Sequence, residues 1–97
     1  GTSMLEKTYT ANFRLKTSSI SSTANVVHID VTCNLGTTIL ASKTVKANDF
    51  MSPDVWQNFQ LTFTVPASLT AGLEFRLRNL NNGVGDISVD YILVEKP

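Results

Sequence analysis

The chain alternates between apolar and polar residues through Trp56-Gln57-Asn58-Phe59-Gln60-Leu61-Thr62-Phe63-Thr64-Val65. The odd-numbered positions, which include both phenylalanines and the leucine, fall on one face of such a segment together with Gln57, and the threonines fall on the other with Trp56, Asn58 and Gln60. A repeat of two residues is typical of a β-strand that buries one face. The pattern therefore predicts a strand from Val55 to Val65, which Pro66 ends.

Five further stretches have the same repeat. They run from Tyr9 to Lys16, Asn25 to Asn34, Thr37 to Ala47, Leu73 to Leu80 and Ile87 to Val94. Polar loops rich in serine, threonine, asparagine and glycine separate several of them, and no window has a helical period. About six strands with turns between them predict an all-β fold, an antiparallel β-sandwich.

The alternation also predicts which side chains face the core. In the second strand it places Val27, Ile29, Val31 and Cys33 inward and Val26, His28, Asp30 and Thr32 outward. In the fifth strand it buries Leu73, Phe75 and Leu77 and turns Glu74, Arg76 and Arg78 to the other side. In the sixth strand it places Ile87, Val89, Tyr91 and Leu93 inward.

The third strand is less regular than the others. Ile39 and Leu40 are adjacent, and Lys43 falls in phase with Ile39, so we expect a bulge or an edge position there. In the turn before it, Gly36 is expected to supply the positive φ that a tight hairpin requires.

Composition narrows the classes of function. The chain has 97 residues and no formal net charge, which argues against a nucleic-acid partner, and no apolar run is long enough to span a membrane. A single cysteine, Cys33, excludes an internal disulfide framework and is expected in the core. We interpret residues 1–3 as an expression scar and residues 4–97 as a single β-sandwich domain. We see no signal peptide, so a secreted parent would carry its signal outside this sequence.

Four segments together carry a family resemblance. They are Tyr9 to Leu15, Val27 to Val31, Val55 to Phe59 and Ile87 to Ile92. In this arrangement the chain resembles the carbohydrate-binding modules of families 4, 9 and 22, which are galactose-binding-domain-like jelly rolls. The resemblance covers residues 8 to 95. It implies a jelly-roll topology in which strands five, two and three form one sheet and strands six, one and four form the other.

The chain departs from that family at its front. Such modules usually begin with about fifty further residues that contribute two or more strands, and here only Met4 to Lys7 precede the first matching strand. The outer edges of strands five and six would then lack neighbours. The chain is either a compact six-stranded variant or one that forms a homodimer or accepts a partner strand through these edges.

The resemblance also implies where sugar would lie, on the outer face of the sheet that holds strands two, three and five. The ligand-binding candidates on that face are His28, Asp30, Glu74, Arg76 and Arg78. Arginine, histidine and carboxylate side chains supply the planar donors and acceptors that adjacent sugar hydroxyls require. The alternative interpretation is a solvated sheet face with cross-strand ion pairs.

Trp56 is a further ligand-binding candidate, because an aromatic ring can stack on the face of a sugar. In the family that the chain resembles, a tryptophan at this strand start is commonly structural, which favours packing, with a cation–π contact to Arg14 as one arrangement. Phe50, in the loop before strand four, is the remaining aromatic candidate, since Tyr91 is inward by phase.

Asp90 matches an acidic residue that helps to hold a structural Ca²⁺ in related jelly rolls. One carboxylate falls far short of the six to eight oxygens that calcium takes. For enzymes, a glycosidase needs two carboxylates in a cleft, and Arg76 and Arg78 would neutralise Asp30 and Glu74 on an open sheet. The sequence has no catalytic motif.

These observations favour a non-catalytic carbohydrate-binding module that targets a larger secreted or cell-surface protein to a polysaccharide or oligosaccharide. The alternative is a structural β-sandwich that makes protein–protein contacts through its edge strands.

Overall fold

The computed structural model describes residues 7–67, 72–80, 83 and 85–95. Six strands form within them: β1 (Thr8–Thr17), β2 (Asn25–Cys33), β3 (Thr38–Lys46), β4 (Gln57–Thr64), β5 (Glu74–Asn79) and β6 (Ile87–Glu95). A short 3₁₀ helix, Ala47–Asp49, follows β3. All six predicted strands are present, and their ends lie within two residues of the predicted ones.

The strands form two antiparallel sheets of three. The first sheet has the order β4-β1-β6 and the second the order β3-β2-β5. These are the two sets of strands that the resemblance to jelly rolls implies, so the all-β antiparallel sandwich is confirmed. β1 and β2 are the central strands.

The core lies between the two sheets and is built mainly on the central strands. Phe13 and Leu15 of β1 and Val27, Ile29 and Val31 of β2 are completely buried. Burial of large apolar side chains is the main favourable contribution to the stability of such a fold. Cys33 is buried as a free thiol, as predicted.

Aromatic rings pack against one another within and between the two sheets. Phe63 of β4 stacks on Tyr9 in its own sheet and meets Phe75 of the second sheet edge to face, both with ring centroids 5.8 Å apart. Phe50 meets Phe59 edge to face at 4.8 Å and is almost completely buried. Phe50 is therefore a core residue, and its selection as an exposed aromatic candidate was wrong.

A β-bulge divides β6. Tyr91 lies opposite Arg14 and Val89 lies opposite Leu15, which leaves Asp90 as the extra residue. The strand therefore changes phase at Asp90. Tyr91 and Leu93, predicted to face inward, are 44% and 51% exposed, whereas Ile92 packs against the core. Val89 lies before the bulge, opposite the buried Leu15, but it is 45% exposed, so its predicted burial was also wrong.

Irregular pairing also occurs along β2 and β3. The register shifts between Asn25 and Val27, and Val26, predicted to face outward, is buried. On β3, Ala41 and Ile39 lie opposite consecutive residues of β2, which leaves Leu40 as a bulge. β3 is also an edge strand among the described residues, so both explanations for its irregular pattern hold.

Across the described residues, no helix has the length and apolar character needed to cross a membrane.

Candidate functional site

The pairing of β2 with β5 brings the predicted ligand-binding residues onto one outer face. Its register places Thr32 opposite Glu74, Asp30 opposite Arg76 and His28 opposite Arg78. Residues two apart on a strand share a face, so the three pairs form three successive rows. The register is continuous from Val27 to Thr32, so His28, Arg76 and Arg78 share a face as the sequence alternation predicted.

The middle row is a two-point ion pair. The Arg76 Nε donates to Asp30 Oδ1 and the Arg76 Nη2 donates to Asp30 Oδ2, both at 2.9 Å. The Asp30 side chain is only 6% exposed, whereas that of Arg76 is 45% exposed. Asp30 was expected on an open surface, but Arg76 lies across it and excludes water.

This hydrogen-bonded pair stabilises the charged form of both groups. The hydrogen bond from Arg76 holds the pKa of the Asp30 carboxyl below its usual value, against the opposing effect of burial. The same hydrogen bond raises the pKa of Arg76. Asp30 is thus a fixed anion that orients a guanidinium group, rather than an acceptor free for a ligand.

His28 is held between β3 and the ion pair. Its Nδ1 lies 3.0 Å from the Thr44 hydroxyl oxygen, and its Nε2 lies 3.7 Å from Asp30 Oδ2. The Thr44 contact is at hydrogen-bonding distance, whereas the separation from Asp30 is too long for a hydrogen bond.

The turn between β2 and β3 packs against Arg76. Asn34, Leu35 and Gly36 all have positive φ, so the predicted conformation of Gly36 is confirmed. A methyl group added at Gly36 would lie only 3.1 Å from Arg76 Nη1. Glycine here thus serves both the turn and the position of the guanidinium.

A cleft of about 460 Å³ opens on this face. Its lining consists of His28, Asp30, Ile39, Arg76, Leu77 and Arg78. Ile39 is 60% exposed and gives the cleft an apolar wall beside its charged groups. Such a mixture of apolar surface and few oriented polar groups suits the binding of a small polar unit.

The first row lies outside this lining. Thr32 is completely buried, although it was expected outward, and its hydroxyl has no hydrogen-bond partner among the residues that the structure describes. Glu74 lies opposite it and is exposed. Glu74 is on the predicted face but does not line the cleft.

Trp56 is not part of this arrangement. It immediately precedes β4, a strand of the first sheet, and is half-buried. The Lys16 Nζ lies 4.7 Å from the centre of its ring, whereas Arg14 lies over Tyr91 at 5.8 Å. The expected contact between Trp56 and Arg14 was wrong, because the tryptophan pairs with the next outward cation along β1.

Sequence reasoning missed Tyr91 as an exposed aromatic residue. Its ring lies on the outer face of the first sheet beside Arg14. The four consecutive apolar residues from Tyr91 to Val94 were a signal, because they break the alternation and leave the phase undetermined.

Asp90 is engaged by an arginine. Its Oδ2 lies 3.2 Å from Arg14 Nε. In the described part of the chain, no group of three or more histidine, cysteine, aspartate or glutamate side chains is placed to hold a metal ion. The calcium site at Asp90 stays a prediction.

Comparison of the chain with protein-family models, with curated proteins and with solved structures finds no match. The resemblance to carbohydrate-binding modules therefore stays a prediction, and the functional argument depends on the cleft itself.

Proposed function

We propose that the protein is a non-catalytic carbohydrate-binding module, part of a larger secreted or cell-surface protein, that binds a polysaccharide in the cleft on the outer face of the β3-β2-β5 sheet. The observation that carries the proposal is the two-point pair of Arg76 with the buried Asp30, beside His28 and Arg78. Together they offer several oriented N–H donors at the edge of an apolar wall.

Binding in this proposal depends on preorganisation. Asp30 fixes the Arg76 guanidinium before a ligand arrives, and Gly36 leaves room for it, so little side-chain entropy is lost when sugar oxygens replace water. The Ile39 side chain can cover the apolar face of a sugar ring, while the guanidinium groups meet its oxygens.

The proposal includes no chemical step. Arg76 occupies both oxygens of Asp30 and favours its ionised form, so this carboxyl is poorly suited to act as a general acid. Glycoside hydrolysis requires two carboxyl groups on either side of the scissile bond. We therefore expect retention of intact glycan and no release of reducing ends.

The test is affinity electrophoresis through gels that contain single polysaccharides, backed by a glycan array. We expect retardation by at least one polysaccharide, and loss of most of it in Arg76→Ala. The matched control is Arg14→Ala, because Arg14 also pairs with an aspartate but lies on the other sheet. Equal retardation of wild type and Arg76→Ala would remove this face from consideration, and no retardation by any glycan would contradict the proposed function.

A second candidate function, assembly through edge strands, is favoured by β6. Among the described residues β6 pairs only with β1, and Val89, Tyr91, Leu93 and Val94 are exposed along it. An apolar edge strand is a site at which a second copy can pair, which would form the expected homodimer. Sedimentation at micromolar concentration distinguishes the two candidates, because a monomer of 10.6 kDa that binds glycan supports the first and a dimer that binds none supports the second.

A further inference from the structure

The hydrogen-bonding groups of the cleft are mostly donors. Its carboxylate, Asp30, already accepts two hydrogen bonds from Arg76 and is almost completely buried. His28 has one nitrogen beside Thr44 and the other turned toward Asp30. A ligand therefore finds few free acceptors there and must itself supply the oxygen acceptors.

Arg78 supplies the second guanidinium of the cleft. It lies opposite His28, one row from the Asp30–Arg76 pair, and its side chain is exposed. Within the described residues it makes no hydrogen bond and no salt bridge. It acts on Asp30 only through longer-range attraction, the weakest of the influences that lower the pKa of that carboxyl.

The charges that line the cleft do not balance. Two arginines face one carboxylate. Glu74, the other carboxylate of the face, lies opposite Thr32, in the row beyond Arg76 and farther from Arg78. The end of the cleft at Arg78 thus has an excess of positive charge, because Asp30 is paired directly with Arg76.

The two arginines are spaced for one ligand unit. Arg76 and Arg78 are two residues apart on β5, so their Cα atoms are separated by about 7 Å along the strand. This span is comparable to one sugar ring with its substituents. One arginine can contact ring hydroxyls while the other forms the planar two-point contact that guanidinium makes with an anionic group.

We propose that the polysaccharide bound in the cleft is acidic, and that Arg78 pairs with the anionic substituent of one of its sugar units. This inference rests on the proposed function. The shared chemistry is an anionic oxygen group on a sugar ring, which a uronic-acid carboxylate or a sulfate ester can supply.

The experiment compares acidic polysaccharides with neutral counterparts of the same backbone. The carboxylate pair is polygalacturonate and its methyl ester, and the sulfate pair is dextran sulfate and dextran. Affinity electrophoresis is run at a fixed ionic strength near 0.15 M, where the Debye length is about 8 Å and diffuse attraction between a neutral protein and a polyanion is largely screened. We expect one acidic member to bind at least about tenfold more tightly than its neutral counterpart, since a hydrogen bond to a charged group contributes on the order of 1.5 kcal/mol.

Three variants assign the anion contact to Arg78. Arg78→Ala should lose about tenfold in affinity for the acidic polysaccharide, and Arg78→Lys should recover part of the loss because it keeps the charge without the planar fork. Arg14→Ala removes the same charge from the other sheet and should leave the affinity unchanged. Circular dichroism of each variant checks that the fold is retained.

The other outcomes overturn the inference in distinguishable ways. Equal binding of acidic and neutral members, or binding of neutral ones only, refutes the acidic ligand and leaves the proposed function intact. Equal losses in Arg14→Ala and Arg78→Ala indicate general polyelectrolyte attraction and refute the role of Arg78. Absence of binding to all four polysaccharides refutes the inference. The wider glycan array then tests the proposed function separately, because binding to another glycan would support it and binding to none would contradict it.

Discussion

The outer faces of the two sheets hold their cations in different ways. On the β3-β2-β5 face, Arg76 is fixed by two directional hydrogen bonds to a carboxylate that is almost completely buried. On the β4-β1-β6 face, Lys16 and Arg14 lie over the rings of Trp56 and Tyr91, and Asp90, the carboxylate beside Arg14, is 42% exposed. The β3-β2-β5 face thus presents a guanidinium of defined geometry, whereas the β4-β1-β6 face presents aromatic rings that are already covered by cations.

This difference supports the proposal that a ligand binds on the outer face of the β3-β2-β5 sheet and that the rings on the β4-β1-β6 face have a packing role. A ring face that contacts a cation must lose that contact before a sugar can stack on it. A guanidinium that a buried carboxylate orients keeps its remaining N–H groups for a ligand. Directional hydrogen bonds and buried charge therefore distinguish the two surfaces more clearly than composition does.

The largest effect on stability is expected at Trp56. Trp56→Ala should lower the free energy of unfolding by about 2 kcal/mol, below the roughly 3 to 5 kcal/mol of a fully buried aromatic, because the ring is only half-buried. Tyr91→Ala, on the same face, should cost only about 0.5 to 1 kcal/mol. Urea unfolding measures both. A fully stable Trp56→Ala variant that no longer binds glycan would reverse the roles of the two faces.

The next largest expected loss of stability is at Asp30, one of two aspartates that pair with arginines. Asp30→Ala should cost about 1.5 kcal/mol, since it removes a buried acceptor of two charged hydrogen bonds, and it should also weaken glycan binding by freeing Arg76. Asp90→Ala removes an exposed partner and should cost less than about 0.5 kcal/mol. Urea midpoints of the two variants give the comparison, and equal losses would show that burial does not distinguish the pairs.

Two buried threonines provide a finer test. The Thr32 hydroxyl has no partner among the described residues, whereas the Thr17 hydroxyl donates to the Ser19 carbonyl oxygen at 3.1 Å. Thr32→Val should therefore be neutral or stabilising by up to about 1 kcal/mol, and Thr17→Val should be destabilising by about 1 kcal/mol. In thermal melts, Thr17→Val should melt at a lower temperature than wild type and Thr32→Val at the same or a higher one, and a destabilised Thr32→Val would indicate an unrecognised partner for that hydroxyl.

The smallest expected effect is a difference in how the free energy of unfolding falls at acid pH. The pKa of Asp30 is lower in the folded protein than in the unfolded chain, where it is about 3.9, because Arg76 hydrogen-bonds to the carboxylate. The unfolded state therefore binds a proton first, so the stabilisation by Asp30 is complete above the unfolded pKa and is lost as the pH falls through the folded pKa. Between about pH 5 and pH 2, Asp30→Asn should show a shallower loss of stability than wild type in urea unfolding. A parallel dependence in both proteins would contradict the lowered pKa.

The sequence was sufficient to predict the strands and the membership of the second sheet's outer face. β2 and β5 pair without a register shift from Val27 to Thr32, so a period of two correctly placed His28, Arg76 and Arg78 together. The order of strands came from the family resemblance, and the local pattern alone does not contain it. Turn chemistry was also readable, since Gly36 has the φ that its position required.

The burial of individual polar residues and the contacts between side chains could not be predicted from the sequence. Asp30 and Thr32 fall at positions where the alternation predicts exposed residues. However, Arg76 covers Asp30, which is almost completely buried, and Thr32 is completely buried. Such burial arises between segments distant in sequence. The contact of Trp56 with Lys16 in place of Arg14 has a similar cause, because the choice between successive outward cations depends on sheet geometry that a single strand does not specify.

The bulge at Asp90 gives β6 one position at which its length can change harmlessly. Because Leu15 faces Val89 and Arg14 faces Tyr91 on either side of it, deletion of Asp90 would join two segments that are already in register and yield a regular ladder. Deletion of a residue farther along β6 would exchange the inward and outward positions of the residues between the deletion and the bulge. Natural variants that gain or lose a residue in this strand are therefore expected to do so at the bulge, at the expense of the Arg14–Asp90 contact alone.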